Sequence, residues 1–412
     1  MIKTSSAEKC LYQLFRLIED GHLTVINPHG EEFSFGKKGS LPNLHLIIRN
    51  HEAYNQILAL ATLGLCESYM KGWWDEKNDN LTDLIGLLFK NKVYKKARGN
   101  LSLTLNVVFQ RLCTLPIFIQ NSKKNVHHHY DLGNDFYQLF LDKSMTYSCG
   151  YMLQNTNTLE AMQTQKYELI CRKLDLQLGE QIIDIGCGWG GMLIYAAERY
   201  GVSGVGVTLS IEQARFVNER IKHLGLSDRL KVIVSDYREI DGKYDKFVSI
   251  GMFEHVGKNN FSTFMNKMSE ILKPKGVGLL QTIGTVGNTR IDPWVDKYIF
   301  PGGYLPQLHE LIREMTATDL MVVHYENLKP HYAETLKQWA RNFNHNKHKI
   351  SSLSNKFDEQ FFRMWNLYLQ SFEAGFRYGN LQLFQILFCK GNQWSFSTPL
   401  TFQINSTDLQ SK

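Results

Sequence analysis

The sequence lacks an apolar run long enough to cross a bilayer: the longest nearly unbroken one, Ile57 to Cys66, is about half of the roughly 20 residues a spanning helix needs. No basic, apolar, small-residue leader opens it, so neither a spanning nor an exported chain is expected. It also lacks any C-x-x-C pair. The seven cysteines (Cys10, Cys66, Cys113, Cys149, Cys171, Cys187, Cys389) are odd in number and widely spread, which suits free thiols in a reducing cytoplasm and argues against structural zinc; no metal site is expected. Internal repeats and low-complexity tracts are absent. What is there is globular: 412 residues, 43% apolar and 21% charged, enough for two or three domains and inconsistent with disorder as the main theme.

Acidic residues are missing from Leu84 to Tyr130, where eight Lys or Arg outweigh the net charge of +6 carried by the whole chain. Such a segment attracts phosphate, from nucleic acid or from an anionic membrane surface. Lys90, Lys92, Lys95, Lys96 and Arg98 lead into Leu101, Leu103, Leu105, Val107, Val108 and Phe109, and that basic-then-apolar order favours a phospholipid surface over nucleic acid. A core helix with a solvated basic face is the competing reading.

Periodicity divides the chain. Glu8 to Asp20 has helical spacing of Leu11, Leu14, Phe15 and Ile18; Leu23 to Ile26 and Glu32 to Phe35 read as strands around the turn Asn27-Pro28-His29-Gly30, with another at Leu44 to Ile48. Residues 1–89 thus form a small α+β module, 90–126 a basic and apolar helical bridge, 127–392 a larger domain and 393–412 a polar tail. In the larger domain a helix from Thr158 to Leu174 precedes the strands Ile182 to Ile185, Gly204 to Val207, Lys231 to Val234, Phe247 to Ile250 and Val277 to Gln281. Strands alternating with helices imply a parallel sheet covered on both faces.

The sharpest local signal is Ile182-Ile183-Asp184-Ile185-Gly186-Cys187-Gly188-Trp189-Gly190-Gly191, a strand reaching an acid and then a glycine-rich turn before a helix. The glycines fit the dinucleotide spacing G-x-G-x-x-G and the G-x-G-x-G of S-adenosylmethionine enzymes equally well. Asp184 at the strand end, Asp236-Tyr237-Arg238 after the third strand and Leu272-Lys273-Pro274-Lys275-Gly276 before the fifth favour S-adenosylmethionine. The acid expected after the second strand to grip ribose hydroxyls is missing: Val207-Thr208-Leu209-Ser210 stands there, leaving Thr208 and Gln213 as substitutes.

From His129 to Gly391 the chain resembles the cyclopropane fatty acid synthase family. The resemblance rests on His129-Tyr130-Asp131-Leu132-Gly133-Asn134-Asp135-Phe136-Tyr137, Thr146-Tyr147-Ser148-Cys149, Gly206-Val207-Thr208-Leu209-Ser210, Phe253-Glu254-His255, Ile299-Phe300-Pro301-Gly302-Gly303 and Pro330-His331-Tyr332, in that order. The first 120 residues look like the amino-terminal module of longer members. The resemblance implies an α/β fold, a Rossmann-like methyltransferase domain with a mostly parallel seven-stranded sheet, preceded by the small α+β domain. It implies methylene transfer from S-adenosylmethionine to the cis double bond of an unsaturated phospholipid acyl chain, at the inner face of the cytoplasmic membrane, and leaves a homodimer open.

Carried over by position, Tyr147, Ser148, Asp184, Gly186, Gly188, Thr208, Leu209, Gln213, Asp236, Tyr237 and Arg238 would contact the cofactor. A bound bicarbonate, the base the resemblance implies, would be held by Glu254, Tyr332, the backbone at Cys149 and Ile283, and the side chain at Gln281. Cys149 is expected to be a packed thiol and no nucleophile, because a thiolate beside a sulfonium would itself be alkylated. Two positions depart from the family. Gln281 stands where relatives have His; it can hydrogen-bond an anion but carries no positive charge. Phe372 stands where relatives have a cysteine, a thiol that methylene transfer with bicarbonate as the base does not need.

Other residues invite functional readings. His127, His128 and His129 read as a polar loop before a metal site; Trp73, Trp74, Trp294 and Trp339 read as packing or interface anchors; Tyr298, Phe300 and Tyr304 suit an acyl tunnel or a core seal alike. Competing functions are a fatty-acyl C-methyltransferase giving methyl-branched or methylene chains, a small-molecule N-methyltransferase, and a non-catalytic membrane-binding relative.

Overall fold

The computed structural model describes residues 5–99, 132–153, 158–287 and 291–391. The bridge beyond Gly99, the three adjacent histidines and the polar tail lie outside the described residues. No helix among the described residues is long and apolar enough to cross a membrane.

Two compact units are present. One combines Met1–Leu139, Ile291–Pro301 and Trp339–Gly379; the other combines Phe140–Arg290, Gly302–Gln338 and Asn380–Lys412. Contacts therefore group the chain differently from a contiguous division at residue 127, because two later segments return to the amino-terminal module.

In the first unit β1 (His22–Ile26) pairs antiparallel with β2 (Glu32–Gly36) and parallel with β3 (Asn43–Ile48), and β4 (Trp74–Glu76) completes a four-stranded sheet in the order β2-β1-β3-β4. The hairpin forms where the Asn-Pro-His-Gly turn is expected: Asn27 Oδ1 accepts from the amides of His29 and Glu31, both at 3.0 Å. The helix Glu359–Arg377 joins this unit through polar as well as apolar contacts; Gln370 and Glu373 meet Thr82, and Arg363 bonds Asp75 at 2.7 Å. Trp74, Trp294 and Trp339 are buried, the indole N–H of Trp74 donating to the Leu65 carbonyl at 3.0 Å. Tyr298 donates to Glu67 at 2.9 Å, and Phe300 packs edge-on against Tyr368 and Phe372.

The second unit is a seven-stranded sheet. Its strands are β5 (Gln181–Ile185), β6 (Ser203–Thr208), β7 (Leu230–Val234), β8 (Tyr244–Ile250), β9 (Leu272–Thr285), β10 (Leu320–Asn327) and β11 (Leu381–Lys390), in the order β10-β11-β9-β8-β5-β6-β7. Only the pairings of β11 with β9 and β10 are antiparallel. Successive residues face opposite sides, so Ile182, Leu279 and Leu387 enter one core with Leu193 and Val217, while Ile183, Leu280 and Phe388 enter the other with Phe264 and Met268. Because β6 and β7 lie on one side of β5 and β8 on the other, the strand order reverses at β5 and opens a crevice at the carboxyl ends.

Leu279 is fully buried in the middle of this sheet. Leu279→Ala should cost about 3 kcal/mol through lost burial and the cavity left behind. A guanidinium titration should show a lowered midpoint; an unchanged one would mean that this core does not limit stability.

Candidate active site

The glycine-rich turn leaves β5 at its carboxyl end. Gly186 and Gly188 have φ of +83° and +54°, a region that favours glycine. A Cβ on Gly188 would meet nothing within 4 Å, so the loop borders open space, whereas a Cβ on Gly191 would strike the Tyr167 hydroxyl at 2.2 Å. The amides of Gly186 and Cys187 both donate to the Val207 carbonyl, at 2.9 and 3.0 Å, tying the turn to β6.

After β6, where no acid stands, the chain forms a local hydrogen-bonded corner. Thr208 Oγ1 accepts from the Ser210 amide at 3.1 Å and donates to Gln213 Oε1 at 2.7 Å, while Ser210 caps the helix Ile211–His223 by accepting from Gln213 N. Leu209 beside it is 75% exposed and Ile211 65%, an apolar rim at the crevice mouth. After β7, Asp236 is clasped by its neighbour: the Arg238 guanidinium donates to both carboxylate oxygens, at 2.9 and 2.7 Å. That pairing holds the Asp236 carboxyl below its usual range. Tyr237 sets its ring against Phe264.

The loop carrying Tyr147, Ser148 and Cys149 is held from behind by the helix Leu159–Leu174. Gln163 donates to the Ser148 carbonyl and Lys166 Nζ to Ser148 Oγ, both at 2.8 Å. Lys166 is fully buried, which pulls it down to about 8, against the attraction of Asp142, Cys149 and Asp184. Burial pushes Asp184 up to about 7, and Lys166 opposes this. Sequence reasoning missed Lys166. Its position four residues after Met162 and four before Ile170, on the buried stripe of that helix, was the available signal.

The candidate reacting groups gather where β8 stops short. β8 ends at Ile250, opposite Gln281; Gly251 N donates to the Gln281 carbonyl at 2.9 Å and the chain then turns through Phe253–His255. β9 runs on to Thr285, so the Ile283 amide on that edge has no strand partner from β8 and donates to Glu254 Oε1 at 2.6 Å. Glu254 Oε2 is buried with no hydrogen-bond partner among the described residues. Burial raises the Glu254 carboxyl to about 7, with the Ile283 amide and the Thr282 hydroxyl pulling the other way.

Gln281, 1% exposed, accepts from Gln385 Nε2 at 3.0 Å. Cys149 is fully buried; its thiol donates to the Gly150 carbonyl, and burial pushes it far above the ordinary thiol range, as expected of a packed thiol. Gly150 N donates to Thr335 Oγ1 at 3.0 Å and Met152 N to His331 Nδ1 at 2.9 Å, with the His331 ring stacked on Tyr151, so the Cys149 loop is stitched to the helix that carries the buried Tyr332. Phe372 belongs to the other unit. Among the described residues no group of three or more His, Cys, Asp or Glu could hold a metal ion.

Residues 119–386 match the family described as mycolic acid cyclopropane synthetase. The chain is also 36% identical over 358 residues to a cyclopropane-fatty-acyl-phospholipid synthase of Escherichia coli, covering 86% of this chain and 89% of that one. The chain belongs to the cyclopropane synthase family. It is an S-adenosylmethionine-dependent methyltransferase. A tuberculostearic acid methyltransferase of Mycobacterium tuberculosis is 35% identical over 78% of both chains. The crystal structure of mycolic acid cyclopropane synthase CmaA1, complexed with SAH and CTAB, superposes with a TM-score of 0.60 at 33% identity, covering 64% of this chain and 97% of that one. The open turn at Gly188, the apolar rim at Leu209 and the buried acid Asp184 fit S-adenosylmethionine.

The raised Glu254 has a consequence for stability. Between about 4.5 and about 7 the folded chain keeps a proton that the unfolded chain has lost, so this group's contribution is complete below the unfolded value and is lost as pH rises through the folded one. Glu254→Gln should remove that dependence, and its stability relative to the parent should improve by up to about 3 kcal/mol between pH 5 and pH 8. Urea titrations of both proteins at the two pH values check this; a gap that does not change with pH would contradict it.

Proposed function

We propose that this enzyme transfers a methylene group to the cis double bond of an unsaturated phospholipid acyl chain, closing a cyclopropane ring, and that a bicarbonate held at Glu254 removes the proton. The observation that carries the reading is Glu254: a buried carboxylate bound on one oxygen by the Ile283 amide, with its other oxygen unpartnered among the described residues. The similarity to the Escherichia coli synthase along most of both chains supports the substrate class.

S-adenosylmethionine, when bound, supplies an electrophilic methyl group; Tyr147, Ser148, Gly186, Gly188, Thr208, Leu209, Gln213, Tyr237 and the Asp236–Arg238 pair would hold it. An alkene is a poor nucleophile, and the cation it becomes must be kept from water. The burial of Cys149, Gln281, Glu254 and Tyr332 supplies that exclusion. A carboxyl near neutrality can hold a proton or release it, so Glu254 can orient a bicarbonate and take up its proton. Tyr332, the Cys149 backbone and the Gln281 amide would complete its contacts. The Ile283 amide is already taken by Glu254, so the anion shares that donor with the carboxylate or displaces it. Cys149 takes no covalent part, since its thiol is held protonated.

A second reading has a specific observation behind it: the similarity to a tuberculostearic acid methyltransferase, together with an uncharged Gln281 at the deprotonation site, favours a methyl-branched or methylene product.

Peripheral membrane association belongs to the same proposal. Lys96 is paired with Glu19 at 2.8 Å and Lys90 lies over the Tyr378 ring, whereas Lys92 and Lys95 are exposed, with Tyr94 72% and Phe89 44% exposed near them, a mixture that suits a lipid headgroup layer.

Purified protein incubated with vesicles of cis-unsaturated phospholipid, S-adenosylmethionine and bicarbonate should yield fatty acids heavier by one methylene. Gas chromatography with fragment analysis should identify a ring, and Glu254→Gln should lower the rate by about 100-fold or more. Absence of any heavier fatty acid would refute the proposal; an exocyclic methylene or a methyl-branched alkene, each formed by losing a different proton from the same cation, would select the second reading.

A further inference from the structure

Gln281 is the end of a buried polar chain that starts at a cation. Lys173, 1% exposed on the helix Leu159–Leu174, donates from Nζ to Gln385 Oε1 at 2.5 Å and is paired with Glu326. Gln385, 1% exposed on β11, donates from Nε2 to Gln281 Oε1 at 3.0 Å across the β11–β9 pairing, where the two glutamines are direct partners. An ammonium group is a donor only. It therefore dictates the orientation of both amides: Gln385 must turn its oxygen to Lys173, its nitrogen then faces Gln281, and Gln281 must answer with its oxygen. The two N–H groups of Gln281 are what remain for a ligand. Without Lys173 the pair could flip together and present a carbonyl oxygen, which repels an anion.

We propose that Lys173 is a positioning residue which, through Gln385, fixes Gln281 as an anion donor and so replaces the charged side chain missing at that position. Hydrogen bonds in a chain polarise one another in a low-dielectric interior, so the cation also strengthens the terminal donor. This inference rests on the reading that bicarbonate binds at Glu254.

The test is binding of [13C]bicarbonate to the full chain, followed by NMR without methyl donor or lipid, with calorimetric titration of S-adenosylhomocysteine as a check on the fold. Lys173→Met and Gln385→Met should each weaken bicarbonate binding about tenfold while leaving S-adenosylhomocysteine affinity unchanged. Imidazole is a donor on its own account, so in a Gln281→His background Lys173→Met should change the bicarbonate affinity less than twofold. Parental affinity in both Met variants would overturn the inference, and so would an equal loss in the Gln281→His background, which would mean that Lys173 acts by another route. If Lys173→Met no longer binds S-adenosylhomocysteine, Gln385→Met decides the matter, since it leaves the Lys173–Glu326 pair in place. A parent chain that methylates lipid yet binds no bicarbonate would overturn both the anion reading and this inference while leaving methylene transfer standing.

Discussion

The site depends on a mismatch of strand length. β8 ends opposite Gln281 while β9 continues to Thr285, and the first amide left without a strand partner on that edge, at Ile283, is met by the Glu254 carboxylate. A buried N–H has to find a partner, and here it finds one that is expensive to bury. The result is a carboxyl lifted toward neutrality by its surroundings and kept in one place by the backbone. The second condition would fail if β8 were two residues longer, since the ladder would then consume the Ile283 amide.

Much of this could be read from residue order because it is local. The turn after Asp184 and the five parallel strands each depend on residues within a short stretch, and each formed where the pattern placed it, with strand ends differing by a few residues. Thr208 and Gln213, which stand where the ribose acid is missing, likewise meet locally and bond to each other within one turn. The parts that escaped are long-range. Ile291–Pro301 and Trp339–Gly379 pack with the amino-terminal module, and β10 and β11 extend the sheet in antiparallel fashion; a mixture of helix signals and Pro-Gly turns gives no hint of either.

The polar interior of the helix Leu159–Leu174 escaped for a different reason. Lys166 and Lys173 lie among buried Met162, Tyr167, Ile170 and Leu174, and a lysine in a helix ordinarily belongs to a solvated face. Their partners, Ser148 on one side and Gln385 with Glu326 on the other, are far away in sequence. Only the i, i+4 spacing shows that both lysines interrupt an apolar stripe.

Buried charge of this density asks for a cause beyond stability. Taking an ammonium and a carboxylate out of water costs several kcal/mol each, and a pair of apolar residues of similar volume is often no worse for folding. Here Asp184, Glu254, Lys166 and Lys173 are all buried within the same unit, two of the carboxyls rising toward neutrality and both lysines falling. Charges so placed lower the cost of holding a proton or an anion at a chosen atom, which is a condition that the proposed cation chemistry sets. Replacing a charged side chain by Gln281 does not relax this arrangement if the positive charge has moved back to Lys173 and is delivered through two amides. The chain then retains its electrostatic complement to an anion while presenting to the reacting carbons a neutral donor, one that cannot itself compete for the proton.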